Sequence, residues 1–94
     1  MSNSQALCLH PNDNVATVLQ PLEAASTCCI VGSGDALTVT VTESVPSCHK
    51  LALTDIAAGA VIYKYGEAIG VARTSIGRGS HVHVHNLVSQ RAQR

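Results

Sequence analysis

The chain has 94 residues, with 6 Lys+Arg against 6 Asp+Glu and so no formal net charge, and 13% of it is charged, about half the share usual in soluble domains. A domain this small holds one modest core and has no room for two lobes around an enclosed cleft, which argues against a complete, self-contained enzyme. Neutral balance removes the electrostatic footprint that phosphate-backbone binding needs, and two Tyr with no Phe or Trp leave little for bases to stack on, so nucleic acid is excluded as a partner.

The first residues, Met1-Ser-Asn-Ser-Gln5, carry no basic segment and precede no long apolar run, so they do not read as a secretory signal. No stretch approaches the ~20 apolar residues of a membrane span, and the expected location is the cytoplasm. Apolar residues then alternate with Thr, His or Lys over short runs punctuated by Gly, Pro, Asn and Asp, the pattern of half-buried strands. The runs predict strands at 6–10, 15–19, 28–31, 37–42, 50–53, 61–64, 68–72 and 81–85. A helix could start only at Asp13, as an N-cap, and Pro21 would end it within two turns. Gly32-Ser-Gly-Asp35 reads as a hairpin connection. It is no phosphate cradle, because a strand pattern follows it instead of a helix. That strand, Leu37-Thr-Val-Thr-Val-Thr42, is the clearest in the chain, with Leu37, Val39 and Val41 on one face and three Thr on the other.

A second regularity recurs four times: apolar, two residues, small, two residues, apolar. It occurs at Leu22/Ala25/Cys28, Val45/Cys48/Leu51, Ile56/Gly59/Ile62 and Ile76/Gly79/Val82. The small residue marks a corner, and Gly59 and Gly79 can take positive φ just before a strand. Unequal intervals exclude a solenoid of fixed period. The pattern predicts a compact all-β domain of short, sharply bent strands. Cys8, Cys28, Cys29 and Cys48 form no C-x-x-C pair and read as reduced thiols, small buried apolar side chains.

Three of the five histidines lie in His81-Val-His-Val-His85. As a continuous strand this run puts three imidazoles on one face and Val82 and Val84 on the core face. Neighbouring imidazoles would be roughly 6.6–6.8 Å apart and able to converge on one divalent ion. His81 and His85, about 13 Å apart, could not share it. One or two of the three would hold metal, and the rest would touch substrate or a partner. The competing reading is a solvated edge strand. His10 and His49 taken singly read as structural, Lys50 and Lys64 as solvated, and Tyr63 and Tyr65 equally as partial core or site. No Ser-His-Asp order, P-loop or carboxylate pair can be assembled.

Taken together, Leu9-His-Pro-Asn-Asp-Asn-Val-Ala16, His49-Lys-Leu-Ala-Leu-Thr-Asp-Ile-Ala-Ala-Gly59, Lys64-Tyr-Gly-Glu-Ala-Ile-Gly70 and His81-Val-His-Val-His-Asn-Leu87 give the chain a family likeness. Over residues 7–87 it resembles the N-terminal SAF domain of the altronate and galactarate dehydratases, which implies a β-clip fold in a single domain over 1–94, with 88–94 a tail or linker. The resemblance also implies dehydration of a sugar acid to a 2-keto-3-deoxy acid, assisted by a divalent metal, Fe(II), held mainly in a complex with a separate large catalytic subunit. The short chain would be the small subunit of such a hydro-lyase, inactive alone, with its oligomeric state open and homo-oligomers among the options. By position the resemblance implies catalytic roles for His49, Lys50 and His83, and substrate contacts from His10, Lys64, Tyr65, His85 and Asn86. It implies metal ligation by His81 and His83. Cys48 stands where the family's Gly-His-Lys segment has glycine. Two alternatives accompany this reading: a non-catalytic module that binds a sugar acid or stabilises a partner, and the small subunit of a sulfolactate-type lyase.

Overall fold

The computed structural model describes residues 4–32 and 37–89, and contains no helix among them. Nine strands follow one another: β1 (Ser4–Cys8), β2 (Val15–Val18), β3 (Thr27–Gly32), β4 (Leu37–Thr40), β5 (Lys50–Ala52), β6 (Val61–Lys64), β7 (Glu67–Ala72), β8 (His81–Val82) and β9 (Leu87–Ser89). Six form one sheet in the order β4-β3-β1-β2-β5-β8, and β6-β7-β9 form a second. Only β1 with β3 runs parallel; the other named pairs are antiparallel. The expected hairpin at Gly32-Ser-Gly-Asp35 lies largely outside the described residues, although β3 and β4 do pair antiparallel on either side of it.

The four small-residue corners are all present. Ala25 and Cys48 (both φ 71°), Gly59 (83°) and Gly79 (86°) all adopt the left-handed conformation. Each sends its N–H to the end of a neighbouring strand: Ala25 to the Val41 carbonyl at 2.7 Å, Cys48 to Val18 at 2.8 Å, Gly59 to Ala72 at 2.7 Å and Gly79 to Ala52 at 2.9 Å. The apolar residues that open the corners meet in pairs, as isolated bridges Leu22 to Val45 and Ile56 to Ile76. The repeat therefore divides into two halves, and each half has its own core. Ala6, Val18, Leu22, Cys28, Val39, Val41, Val45 and Leu51 belong to the first. Val15, Ala52, Ile56, Ile62, Ala72, Ile76 and Val82 form the second. Successive residues of β2 and β5 serve opposite cores, as the two-residue period of a strand dictates. Cys8 and Cys28 are buried thiols as expected, but Cys29 is only half-buried and Cys48, a corner residue with positive φ, is exposed.

The strand expected at 15–19 forms as Val15–Val18, so the helix that could have started at Asp13 does not. One expectation is overturned. The histidine run is not one strand: β8 ends at Val82, residues 83–86 make a turn, and β9 follows as a ninth strand absent from the expected set. Asn86 causes the break. Its Oδ1 accepts from the His83 N–H at 3.0 Å and its Nδ2 donates to the His81 carbonyl at 2.8 Å. The N–H groups of Asn86 and Leu87 both donate to the His83 carbonyl. A side chain that satisfies backbone groups locally competes with the ladder that would continue a strand. Val84, expected on the core face, is consequently 73% exposed at the turn.

Candidate functional site

Strand register assembles the imidazoles. In the β5–β8 pair Leu51 faces His81 and Lys50 faces Val82, so one further step places His49 opposite His83. Their rings stack with centroids 3.6 Å apart and planes 12° from parallel. His49 is itself fixed against β2, its carbonyl accepting from the Val18 N–H at 2.9 Å. His49 Nδ1 and His81 Nε2 are 2.7 Å apart in a ring-to-ring hydrogen bond, with one nitrogen protonated and the other accepting. The turn folds His85 back to a centroid distance of 4.8 Å from His81. The ~13 Å separation expected of an extended strand is thereby lost, because the chain reverses at 83–86. His49, read singly as structural, is the centre of the cluster.

The surroundings favour the neutral form of two of these rings, His83 and His81. Burial lowers His83 below the ordinary imidazole pKa, with the like charges of His49, Lys50 and His85 adding to the effect. Burial also lowers His81, followed by His85 and His49, against an opposing pull from Glu43, whose carboxylate accepts from the His81 N–H at 3.3 Å. His83 Nδ1 is buried with no hydrogen-bond partner. Lys50 is half-buried and directly opposite Thr17, whose Oγ1 is likewise buried and unpartnered. Burial, then the charge of Lys64, depresses the Lys50 ammonium below its usual pKa.

A second locus gathers His10, Lys64 and Tyr65. Tyr65 (φ 57°) and Gly66 (77°) form the β6–β7 turn, the pair of left-handed residues that a two-residue hairpin favours. Asp13 holds it: Oδ2 accepts from the Tyr65 N–H and Oδ1 from the Gly66 N–H, both at 2.8 Å. Asn14 grips the strand behind, accepting from the Tyr63 N–H at 2.8 Å and donating to the Val61 carbonyl at 2.9 Å. His10 packs its ring where a Gly66 side chain would stand, and its Nδ1 accepts from the Asn12 N–H at 3.1 Å. Lys64 Nζ lies 4.9 Å from the Tyr65 ring centroid. Asp13 and Asn14 were not among the expected site residues. The signal available was their type, since Asp and Asn cap turns as readily as helices.

Asn86 is a turn brace: both polar atoms of its amide are engaged within 81–86. As for metal, the described residues contain no group of three or more His, Cys, Asp or Glu placed to hold an ion, and His49 and His81 point nitrogens at one another. A catalytic zinc-type site keeps three protein ligands. These imidazoles do not by themselves fit a complete metal site. His81 and His83 lie side by side, their ring centroids 5.9 Å apart and their planes 13° from parallel. No described helix is long and apolar enough to cross a membrane.

Comparison with known proteins gives this geometry a family. Residues 4–90 match the model of the altronate/galactarate dehydratase SAF domain. Altronate dehydratase of Escherichia coli is 44% identical over 82 residues, which are 87% of this chain and 16% of that protein. The (2R)-sulfolactate sulfo-lyase subunit alpha of Chromohalobacter salexigens is 43% identical over 51 residues, 54% of each chain. The same-named subunit of Paracoccus pantotrophus is 33% identical over 64 residues, 68% of this chain and 96% of that one. The chain belongs to the SAF-domain family of altronate and galactarate dehydratases, and it spans about one-sixth of the Escherichia coli altronate dehydratase it matches.

Proposed function

We propose that this SAF-family chain is the small subunit of a sugar-acid hydro-lyase of altronate or galactarate type, acting with a separate large catalytic subunit. The observation that carries the reading is the stack of His49 on His83, the latter's imidazole pKa lowered by burial, beside the Lys50 amine, whose pKa is lowered as well. Dehydration removes the proton from the carbon next to the carboxylate, and the β-hydroxyl leaves as water. The resulting enol becomes the 2-keto-3-deoxy acid. A neutral imidazole with one free nitrogen suits that proton transfer near neutral pH, and general acid–base catalysis contributes about 10²–10⁴-fold. Lys64, with Lys50 when protonated, offers positive charge to the carboxylate and to the enolate-like transition state. His10 and Tyr65 border that amine pair, and His85 borders the rings. A divalent ion, Fe(II) by the family resemblance, would supply Lewis-acid stabilisation in the complete complex, with His81 contributing at most part of its ligand set.

A second reading has its own support. The Paracoccus subunit alpha of sulfolactate sulfo-lyase matches over 96% of its length, so a named lyase subunit consists almost entirely of a region like this one. There the leaving group would be sulfite instead of water. The complex of this chain with its large subunit should be assayed with altronate, galactarate and (2R)-sulfolactate, alongside the chain alone. The expected result is turnover of a sugar acid by the complex only, with His83→Ala lowering kcat at least ~10²-fold. Turnover by the isolated chain, or full activity in His83→Ala, would remove the catalytic reading and leave a binding or structural module.

A further inference from the structure

Six large apolar side chains stand well exposed among the described residues, and four of them are sequence neighbours of candidate site residues. Leu9 (53% exposed) precedes His10, Tyr63 (37%) and Tyr65 (48%) flank Lys64, and Val84 (73%) separates His83 from His85. The fold gives no internal reason for this. Val84 occupies a turn whose hydrogen bonds come from Asn86 and the His83 carbonyl, where any polar residue would serve. Tyr63 and Tyr65 ride on backbone pinned by Asn14 and Asp13. Their rings are therefore presented on a rigid support and lose little freedom when covered, which is what makes buried tyrosines effective interface anchors.

The site these side chains border is incomplete. It brings together imidazoles and amines, while its carboxylates, Glu43 and Asp13, are engaged with backbone N–H groups of His81 and of Tyr65 and Gly66. In the Escherichia coli altronate dehydratase the matched region is only 16% of the protein, so most of that chain is tethered to a domain like this one. Resting on the reading above, we infer that Leu9, Tyr63, Tyr65 and Val84 form an apolar rim on which the large catalytic subunit docks, closing over the imidazole–amine cluster. The rim excludes water from the joint site, and its contact is apolar in a chain with little surface charge to offer.

The test is the affinity of this full-length chain for the large dehydratase subunit of its own organism, measured by titration calorimetry. Val84→Asp and Tyr65→Asp should each raise Kd at least tenfold, Asp being well tolerated at the positive φ of position 65. Leu37→Asp is the control: Leu37 is 42% exposed but begins β4, at the far edge of the six-stranded sheet from β8. It should change Kd less than twofold. Val84→Ser and hydrogen exchange of residues 63–65 and 83–86, which should slow in the complex, give the same answer should an Asp variant fold poorly. Rim variants that bind like the unaltered chain, or a Leu37→Asp loss of equal size, overturn the inference while leaving the two-subunit reading intact. Failure of the unaltered chain to bind the large subunit overturns both.

Discussion

At the Asp13–Asn14 clamp, four side-chain atoms hold the 61–66 hairpin through four hydrogen bonds of 2.8–2.9 Å. At the imidazole cluster, three rings stack around the hydrogen bond between His49 and His81, the His85 ring tilts against them, and one buried nitrogen has no partner. The clamp uses a carboxylate on backbone N–H groups, a strong and charge-assisted bond that fixes position. The cluster holds its rings by packing and leaves proton-exchanging atoms uncommitted. A group fully satisfied by its own fold has nothing left for a substrate, so the clamp reads as support and the cluster as chemistry.

The largest effect should come from the core that both regions share. Val82 is wholly buried with Ile62 and Ala72, which belong to the clamped hairpin. Val82→Asp should cost more than about 4 kcal/mol and abolish the cooperative urea transition; a variant that still unfolds cooperatively would separate the two regions. Next comes Asp13→Ala, which strips two N–H acceptors and should lower stability by about 2–3 kcal/mol, roughly 10–20 °C in melting temperature. His83→Ala should lose under about 1 kcal/mol, since a half-exposed ring without hydrogen bonds from its nitrogens is easily replaced. Equal losses in the two variants would erase the contrast.

A smaller effect follows from pH. Because His81 and His83 titrate below the ordinary imidazole value when folded, the unfolded chain binds more protons as pH falls below about 6.5. Stability is therefore complete above that pH and declines below it. The urea midpoint should be lower near pH 5.5 than near pH 7.5, and His83→Ala should narrow the gap. Smallest is Cys48→Gly. At φ 71° the thiol side chain is strained, so glycine should add a few tenths to about 1 kcal/mol, less whatever freedom glycine adds to the unfolded chain.

Much of the fold was legible in the residues. The all-β class, eight of the nine strands and the four corners all appear as local patterns, because side-chain alternation and small residues at positive φ are demanded by the backbone itself. The corner pattern even flagged Ala25 and Cys48, whose residue types argue against the conformation they adopt. The histidine run was misread for a local reason as well: alternation extends a strand indefinitely unless a side chain captures the backbone, and Asn86 does so.

The site was legible only in part. The family motifs name His10, His49, Lys50, Lys64, Tyr65 and the His81–His85 run, and these do fall into two neighbouring loci. That His49 lies against His83 and that Asp13 seats the Tyr65 turn are facts of contact between segments 30 or more positions apart. By itself the sequence determined a small, neutral, strand-built domain carrying more imidazole than it has use for. Only the tertiary structure decided which imidazoles meet, because a ladder pairs residues by their distance from a shared hydrogen bond, and that distance is set by where each strand ends.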